Sequence, residues 1–164
     1  MFSAEEVLKM AVRIEKNGEN YYRDAARMQK DPLLRKILLD LAEDEARHGV
    51  WFENLRERLG KPEGEELWVR EISGDLLQSM IGDQSFSLKE VDPAHLDSVA
   101  KILETALEFE KDTILFYDML TGFMDEGESA RALQEIIEEE KLHVEILEAR
   151  LEALTLRSKV TSSA

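Results

Sequence analysis

The segments LAEDEARHGV (residues 41–50) and IIEEEKLHVE (residues 136–145) each place a glutamate and a histidine three positions apart within an apolar helical pattern. Glu45 precedes His48 in the first segment, and Glu140 precedes His143 in the second. Side chains at this spacing share one face of an α-helix, so each pair would present an oxygen and a nitrogen together. Because the same unusual pair occurs twice, the sequence indicates a repeated helical unit.

An offset of 95 residues aligns the two halves of the chain without a gap. Apolar positions also fall on this offset, for example Leu8 with Leu103 and Leu38 with Leu133. The polar pairs on the same offset are Glu15 with Glu110, Glu45 with Glu140 and His48 with His143. Two similar helical hairpins packed about an approximate twofold axis would bring these positions to the centre of a bundle.

The composition predicts one all-α domain, residues 1–164. The chain has 164 residues, of which 43% are hydrophobic and 35% charged, with only 8 glycines and 3 prolines. Such a balance is typical of a helical domain with a real core. The absence of cysteine excludes disulfides, thiol catalysis, iron–sulfur clusters and cysteine-based zinc sites.

The charge and hydropathy of the chain argue against several classes of binding partner and against a location in a membrane. A net charge of -15 argues against binding nucleic acid or an anionic membrane, because both repel a dense carboxylate surface. No apolar run approaches the roughly 20 residues of a membrane span, and no signal-peptide pattern leads the sequence. We therefore expect a cytoplasmic protein.

Helical periodicity and helix-ending residues predict two hairpins joined by a long crossover. The first hairpin covers 4–59, with helices at Ala4–Met28 and Pro32–Leu59, and the crossover covers 61–95, with one short helix near 75–81. The second hairpin covers 97–156, with helices at Asp97–Thr121 and Glu128–Leu156, and a frayed tail follows at 157–164. A crossover of this length would let the third helix run parallel to the second, as in ferritin-like four-helix bundles.

Four of the glutamates stand in the middle of stripes that should be buried. Glu15, Glu45, Glu110 and Glu140 have apolar neighbours one and two turns away, whereas Glu43 has Lys36, Asp40 and Arg47. Burying an ionised carboxylate costs several kcal/mol unless it is paired or binds a metal. These faces carry no lysine or arginine, and four carboxylates would neutralise two divalent cations. The sequence therefore predicts a two-metal site, and a metal-free bundle with mutually satisfied polar residues is the alternative.

This ligand pattern resembles that of the ferritin-like di-iron carboxylate proteins, and within them the rubrerythrin-like branch. Those proteins use one glutamate from each of two helices and a Glu-x-x-His pair from each of the other two. The segments that carry the resemblance are RIEKNGENYY (13–22), EDEARH (43–48), EFEKDTILFY (108–117) and EEEKLH (138–143). The resemblance covers both hairpins, which is nearly the whole chain outside the crossover and the tail.

The resemblance implies a cofactor of two iron ions, although the donor set also suits manganese or zinc. Glu45 and Glu140 would bridge the two ions, Glu15 and Glu110 would be terminal ligands, and His48 and His143 would each bind one ion. The implied activity is reduction of hydrogen peroxide or oxygen with oxidation of Fe(II), as protection against oxidative stress. Iron storage as a ferritin-type ferroxidase subunit is the alternative.

Two departures from the rubrerythrin pattern limit what the resemblance implies. Classical rubrerythrins carry a cysteine-rich rubredoxin module that delivers electrons, and this chain has no cysteine, so its electron donor would be external. They also carry an extra glutamate one turn along the third helix, where this sequence has Leu107, Thr113 and Ile114. The resemblance therefore does not by itself imply the peroxidase chemistry that is associated with that extra ligand.

Several residues near the predicted site have open roles. Tyr22 and Tyr117 are typical of core packing with locally bonded hydroxyls, and hydrogen bonding or radical transfer near the metals is the alternative. Asp44 and Glu139 would either orient a histidine ligand or lie on the surface. Glu19, one turn after Glu15, would lie on the surface, and a role as an added ligand or as a partner of the ligands is the alternative. His95 should be a surface or helix-entry residue.

We also expect a homodimer. Bundles of this family often pair, and the crossover contains apolar residues that could pack against a second chain. These residues are Trp68, Val69 and Phe86.

Overall fold

A computed structural model describes residues 3–59, 87 and 89–162 of the chain. It contains four α-helices: α1 (Ala4–Met28), α2 (Pro32–Arg58), α3 (Val99–Thr121) and α4 (Glu128–Ser162). A short 3-10 turn, Pro93–His95, precedes α3, and the described residues include no strand. The predicted all-α class is thus confirmed. Within these ranges, no helix combines the length and the apolar character that crossing a membrane requires.

Side-chain caps explain where the helices begin. The Ser3 hydroxyl accepts a hydrogen bond from the Glu6 amide at 3.2 Å, and the Glu6 carboxylate accepts one from the Ser3 amide at 2.8 Å. Asp31 accepts a hydrogen bond from the Leu33 amide at 2.9 Å and precedes a proline suited to the first turn of α2. These caps pair amides that would otherwise lack a partner at the helix ends.

Three predicted boundaries differ from the structure, the smallest difference being at the end of α2, which is Arg58 rather than Leu59. Helix α3 begins at Val99 rather than Asp97, because Ser98 caps it by accepting a hydrogen bond from the Lys101 amide at 3.1 Å. Helix α4 continues to Ser162, so the prediction of a frayed tail from residue 157 was wrong. Residues 157–162 contain neither glycine nor proline, so nothing in them stops the helix. The predicted short helix at 75–81 lies outside the described residues.

The apolar core consists of two clusters, one towards each end of the bundle. One cluster includes the first half of α1 and the second half of α3, with Leu8, Phe52, Tyr117 and Leu133 fully or almost fully buried. The other includes the second half of α1 and the beginnings of α2 and α3, with Leu38 and Leu103 among its members. Because α2 and α3 both start in the same cluster, they run parallel, as the long crossover predicted.

Helices α1 and α2 form one hairpin, and α3 and α4 form the other. The fold is therefore a four-helix bundle of ferritin-like topology. The level between the two apolar clusters is occupied by polar side chains, and it contains the residues singled out by the sequence repeat.

Candidate metal centre

All six predicted ligands converge at the middle of the bundle. Helix α1 supplies Glu15 and α3 supplies Glu110, whereas α2 supplies Glu45 with His48 and α4 supplies Glu140 with His143. None of these side chains is more than 3% exposed. They form two overlapping groups whose candidate ligand atoms lie within 4.8 Å of one another. The members are Glu15, Glu45, His48 and Glu140 in one group, and Glu45, Glu110, Glu140 and His143 in the other.

Glu45 and Glu140 belong to both groups, whereas each of the other four residues belongs to one. This is the arrangement expected of two bridging carboxylates flanked by terminal ligands. This symmetry follows from the repeat, because the 95-residue offset relates each residue of one group to a residue of the other group.

The atoms left without hydrogen-bond partners fit two metal ions. Among the described residues, eight buried side-chain nitrogen and oxygen atoms have no such partner, and all eight belong to the six converging residues. Both oxygens of Glu45 and of Glu140 are unpartnered, as are one oxygen of Glu15, one of Glu110 and Nδ1 of each histidine. Buried polar atoms are rarely left unpaired. Eight converging donors provide four for each of two ions.

The two candidate bridging residues approach the histidines closely. His143 Nδ1 lies 2.8 Å from Glu140 Oε2 and 3.2 Å from Glu45 Oε1, and His48 Nδ1 lies 2.9 Å from Glu140 Oε1. None of these contacts has the alignment of a hydrogen bond. Donor atoms that lie this close together without hydrogen bonds among them are typical of a coordination site.

Two buried tyrosines occupy the remaining oxygens of the terminal glutamates. The Tyr22 hydroxyl on α1 donates a hydrogen bond to Glu110 Oε1 on α3, and the Tyr117 hydroxyl on α3 donates one to Glu15 Oε1 on α1. Each tyrosine therefore fixes one oxygen of its partner and leaves the other directed into the site. The sequence favoured core packing for these residues, and the structure combines that packing with a hydrogen bond to a candidate ligand.

The outer nitrogen of each histidine meets a carboxylate on the opposite helix. His48 Nε2 on α2 lies 2.9 Å from Glu139 on α4, and His143 Nε2 on α4 lies 3.3 Å from Asp44 on α2. If Nε2 carries the proton and donates it to these acceptors, Nδ1 keeps its lone pair free for a metal. The structure thus answers the open question about Asp44 and Glu139, since both orient histidines.

Arg47 links these two outer carboxylates, a role that sequence reasoning missed. Its Nη2 donates to Asp44 at 2.6 Å and to Glu139 at 2.8 Å. The repeat gave no signal for this residue, because the position 95 residues later is Leu142.

Glu19 and His95 lie away from the centre. Glu19 pairs with Lys16 and Arg23 on α1, and His95 is exposed beside Asp92. Neither of these last two residues joins the cluster.

Burial and mutual repulsion disturb the acidity of the carboxylates. Burial, together with the charge of Glu45, raises the pKa of Glu15 well above its usual range and that of Glu110 to about 8. Burial and the charge of Glu140 raise the pKa of Glu45. For Glu140, burial acts in the same direction, but the rings of His143 and His48 outweigh it and lower the pKa to about 2.

The same excess of buried negative charge raises the pKa values of the two histidines. Burial lowers the pKa of His48, yet the carboxylates of Glu140, Glu45 and Glu139 outweigh it and raise the pKa to about 9. The pKa of His143 is also raised, against burial, by Asp44 and the other carboxylates around it. Protons are therefore held in this cluster at neutral pH, because it has too much buried negative charge. Divalent cations would replace those protons.

Together, the fold and the cluster define the class: an all-α, ferritin-like four-helix bundle with a carboxylate and histidine site at its centre. Residues 6–75 match the model of a protein family described as Rubrerythrin. The matched stretch includes all of α2 and most of α1, and so contains Glu15, Glu45 and His48.

Two solved structures resemble the whole fold. A Thermotoga maritima protein, described as ferritin-like and diiron-carboxylate, is 20% identical with a TM-score of 0.67, and the similarity covers 92% of this chain and 95% of that one. A hypothetical protein from Pyrococcus furiosus is 24% identical with a TM-score of 0.72, covering 94% of this chain and 91% of that one. No curated protein matches the chain. The comparisons confirm the resemblance to ferritin-like, rubrerythrin-type proteins that the ligand pattern indicated.

Proposed function

We propose that this chain is a di-iron carboxylate oxidoreductase that reduces hydrogen peroxide or oxygen while Fe(II) is oxidised. The observation that carries the proposal is the set of eight unpartnered, buried donor atoms, four for each of two ions. The description of the Thermotoga protein as diiron-carboxylate supports the choice of iron. Carboxylate and imidazole donors without thiolate also suit iron.

In this proposal, the six residues hold the two ions in distinct ways. Glu45 and Glu140 each have two free oxygens and would bridge the ions, whereas Glu15 and Glu110 would each give one oxygen. His48 and His143 would each give Nδ1. When bound, the two ferrous ions would supply one electron each. Those two electrons, with two protons, would convert one H₂O₂ to two molecules of water, or one O₂ to one H₂O₂.

The surrounding side chains would keep this site dry and ordered. Tyr22 and Tyr117 close the site beside α1 and α3, and their hydroxyls hold the terminal carboxylates in one orientation. Asp44 and Glu139 hold the imidazole rings from outside. Exclusion of bulk water at such a site strengthens its electrostatic interactions and suppresses side reactions.

The electrons that return the site to its reduced state would come from a donor outside these 164 residues, which contain no cysteine for a rubredoxin module. Since each iron would take up one electron, a one-electron carrier would suit this role. The protective role against oxidative stress follows from removal of peroxide or oxygen, and belongs to the same proposal.

A rapid-mixing experiment tests the activity. Apo-protein is loaded anaerobically with two equivalents of Fe(II) and mixed with H₂O₂ or with oxygenated buffer, and ferric absorption is followed. We expect oxidation well above the rate for free Fe(II), with about two irons oxidised per H₂O₂. The Glu140→Ala variant is the control and should oxidise iron at the rate of buffer alone. Equal rates for the unaltered protein and free Fe(II) would refute the proposal.

A further inference from the structure

Gly18 is an unusual residue for its position. It lies buried in the interior of α1, one turn after Glu15, where alanine would favour the helix more than glycine does. The position 95 residues later holds Thr113, a buried residue with a side chain that donates a hydrogen bond to the Phe109 carbonyl at 2.9 Å. The absence of a side chain is therefore required in one half of the repeat alone.

The neighbour of Gly18 is the carboxylate of Glu45. A β-carbon added at Gly18 would lie 2.6 Å from Glu45 Oε2, too close for the two atoms to coexist without a shift, and 3.1 Å from Glu45 Cδ, a tight contact. It would also lie 3.1 Å from Cε1 of Phe109. The Glu45 carboxylate thus occupies the space that any other residue at position 18 would fill.

This contact concerns the second oxygen of a candidate bridging residue. Glu45 is fully buried, and neither of its oxygens has a hydrogen-bond partner. Oε1 lies 3.2 Å from Nδ1 of His143, on the side of one ligand group, and Oε2 is the atom against Gly18. Displacing Oε2 would therefore disturb the reach of Glu45 to the other group, which contains Glu15 and His48.

We infer that Gly18 is a positioning residue whose missing side chain lets the Glu45 carboxylate lie across both metal positions. The inference rests on the proposed function, since it assigns Gly18 a role in holding the second ion. It predicts that alanine at position 18 weakens metal binding but does not destabilise helix α1. The end of the Glu45 side chain is flexible, so the carboxylate moves while the backbone keeps its place.

The test compares metal binding with the stability of the metal-free protein. Unaltered protein, Gly18→Ala and the control Gly127→Ala, whose added β-carbon meets nothing closer than 3.9 Å, are titrated anaerobically with Fe(II) and with Co(II). We expect two ions per chain for the unaltered protein and the control. In Gly18→Ala we expect the second ion to bind at least about tenfold more weakly, while the thermal midpoint of the apo-protein stays equal or rises.

A second comparison separates Glu45 from Phe109 as the affected neighbour. Glu45→Asp shortens the side chain by one methylene and withdraws the carboxylate from position 18. This change should itself weaken binding of the second ion, so adding Gly18→Ala to it should weaken that ion little further. Adding Gly18→Ala to Phe109→Leu should weaken the second ion as much as in the unaltered protein. Equal losses in all three backgrounds would overturn the inference.

The outcomes distinguish this inference from the proposed function. If the unaltered protein binds two ions and Gly18→Ala binds them with the same affinity, Gly18 has no positioning role and the proposed function stands. If Gly18→Ala loses metal together with apo-protein stability, its effect is structural and the inference fails. If the unaltered protein binds no metal, the proposed function falls and the inference falls with it.

Discussion

At the scale of single residues, two tyrosines decide how many oxygens each glutamate can offer. Glu15 and Glu110 each have one oxygen engaged by a tyrosine on the neighbouring helix, and Glu45 and Glu140 have none engaged. The division into terminal and bridging candidates is therefore built into the hydrogen bonds of the protein. It does not depend on which metal binds.

Removing one of these hydroxyls should weaken both the fold and the site. In Tyr22→Phe, Glu110 Oε1 stays buried without a hydrogen-bond partner, which should cost about 1–3 kcal/mol of unfolding free energy in the apo-protein. The freed carboxylate should also lower metal affinity about 10- to 100-fold. Chemical denaturation and metal titration measure the two effects.

Tyr21→Phe is the matched control for this prediction. The Tyr21 hydroxyl donates to the Ile102 carbonyl at 2.6 Å, so it touches none of the six candidate ligands. We expect metal affinity to remain unchanged in this variant. Identical metal titrations for the two variants would contradict the role assigned to Tyr22.

The sequence predicted which six residues meet, because the repeat marks equivalent positions on the four helices. It could not predict the tyrosine bonds or the pairing of Asp44 with His143, because both join different helices. Such contacts depend on how far each helix is rotated about its axis. The role of Gly18 was equally hidden, because its close neighbour Glu45 belongs to another helix.

At the scale of elements, the caps account for the accuracy of the predicted starts of α1 and α2, whereas the predicted start of α3 missed its cap, Ser98, and lay two residues too early. Ser3 and Asp31 lie directly before α1 and α2, and both accept hydrogen bonds from amides of the first turn. Helix ends were harder to predict. The end of α4 lies past the predicted residue because the sequence contains no residue that stops a helix there.

Removing the cap of α2 should destabilise the protein without altering the site. Asp31→Ala leaves the amide of Leu33 without its partner, at the start of a helix whose first turn buries Leu34 in the core. We expect a loss of about 1 kcal/mol of unfolding free energy, measured by chemical denaturation. Asp31→Asn keeps a capping oxygen and should lose far less. Equal losses in the two variants would show that the cap is not the cause.

At the scale of the whole molecule, the central cluster predicts how stability depends on pH. The pKa of Glu110 is raised to about 8 and that of His48 to about 9, and the pKa of Glu15 is raised as well. A raised pKa in the folded state stabilises at low pH and loses this contribution as pH passes the folded value. The lowered pKa of Glu140 matters only in the acid range.

The apo-protein should therefore become less stable as pH rises from about 5 to 9. Metal binding displaces the protons held by the cluster, so metal affinity should rise over the same range. Denaturation at several pH values, with a chelator and with saturating metal, measures both trends. A chelator-treated protein that gains stability from pH 5 to 9 would contradict this account of the cluster.

The overall architecture was predictable, whereas the assembly was not tested. Two hairpins, a parallel α2 and α3 and a central polar level follow from helix periodicity, crossover length and the repeat. The expected homodimer depended on Trp68, Val69 and Phe86, which lie outside the described residues. The dimer, the external electron donor and the cytoplasmic location stay predictions.

The most direct test of the central claim is the number of iron ions bound per chain. Apo-protein is loaded anaerobically with excess Fe(II), exposed to H₂O₂ or air, desalted and analysed for iron. We predict about two irons per chain. In Glu45→Ala and His143→Ala we predict loss of tight two-metal binding, and in the surface control Glu43→Ala no change. A large excess of iron would indicate a mineral store instead, and no bound iron, or an unchanged count in the two site variants, would contradict the assigned centre.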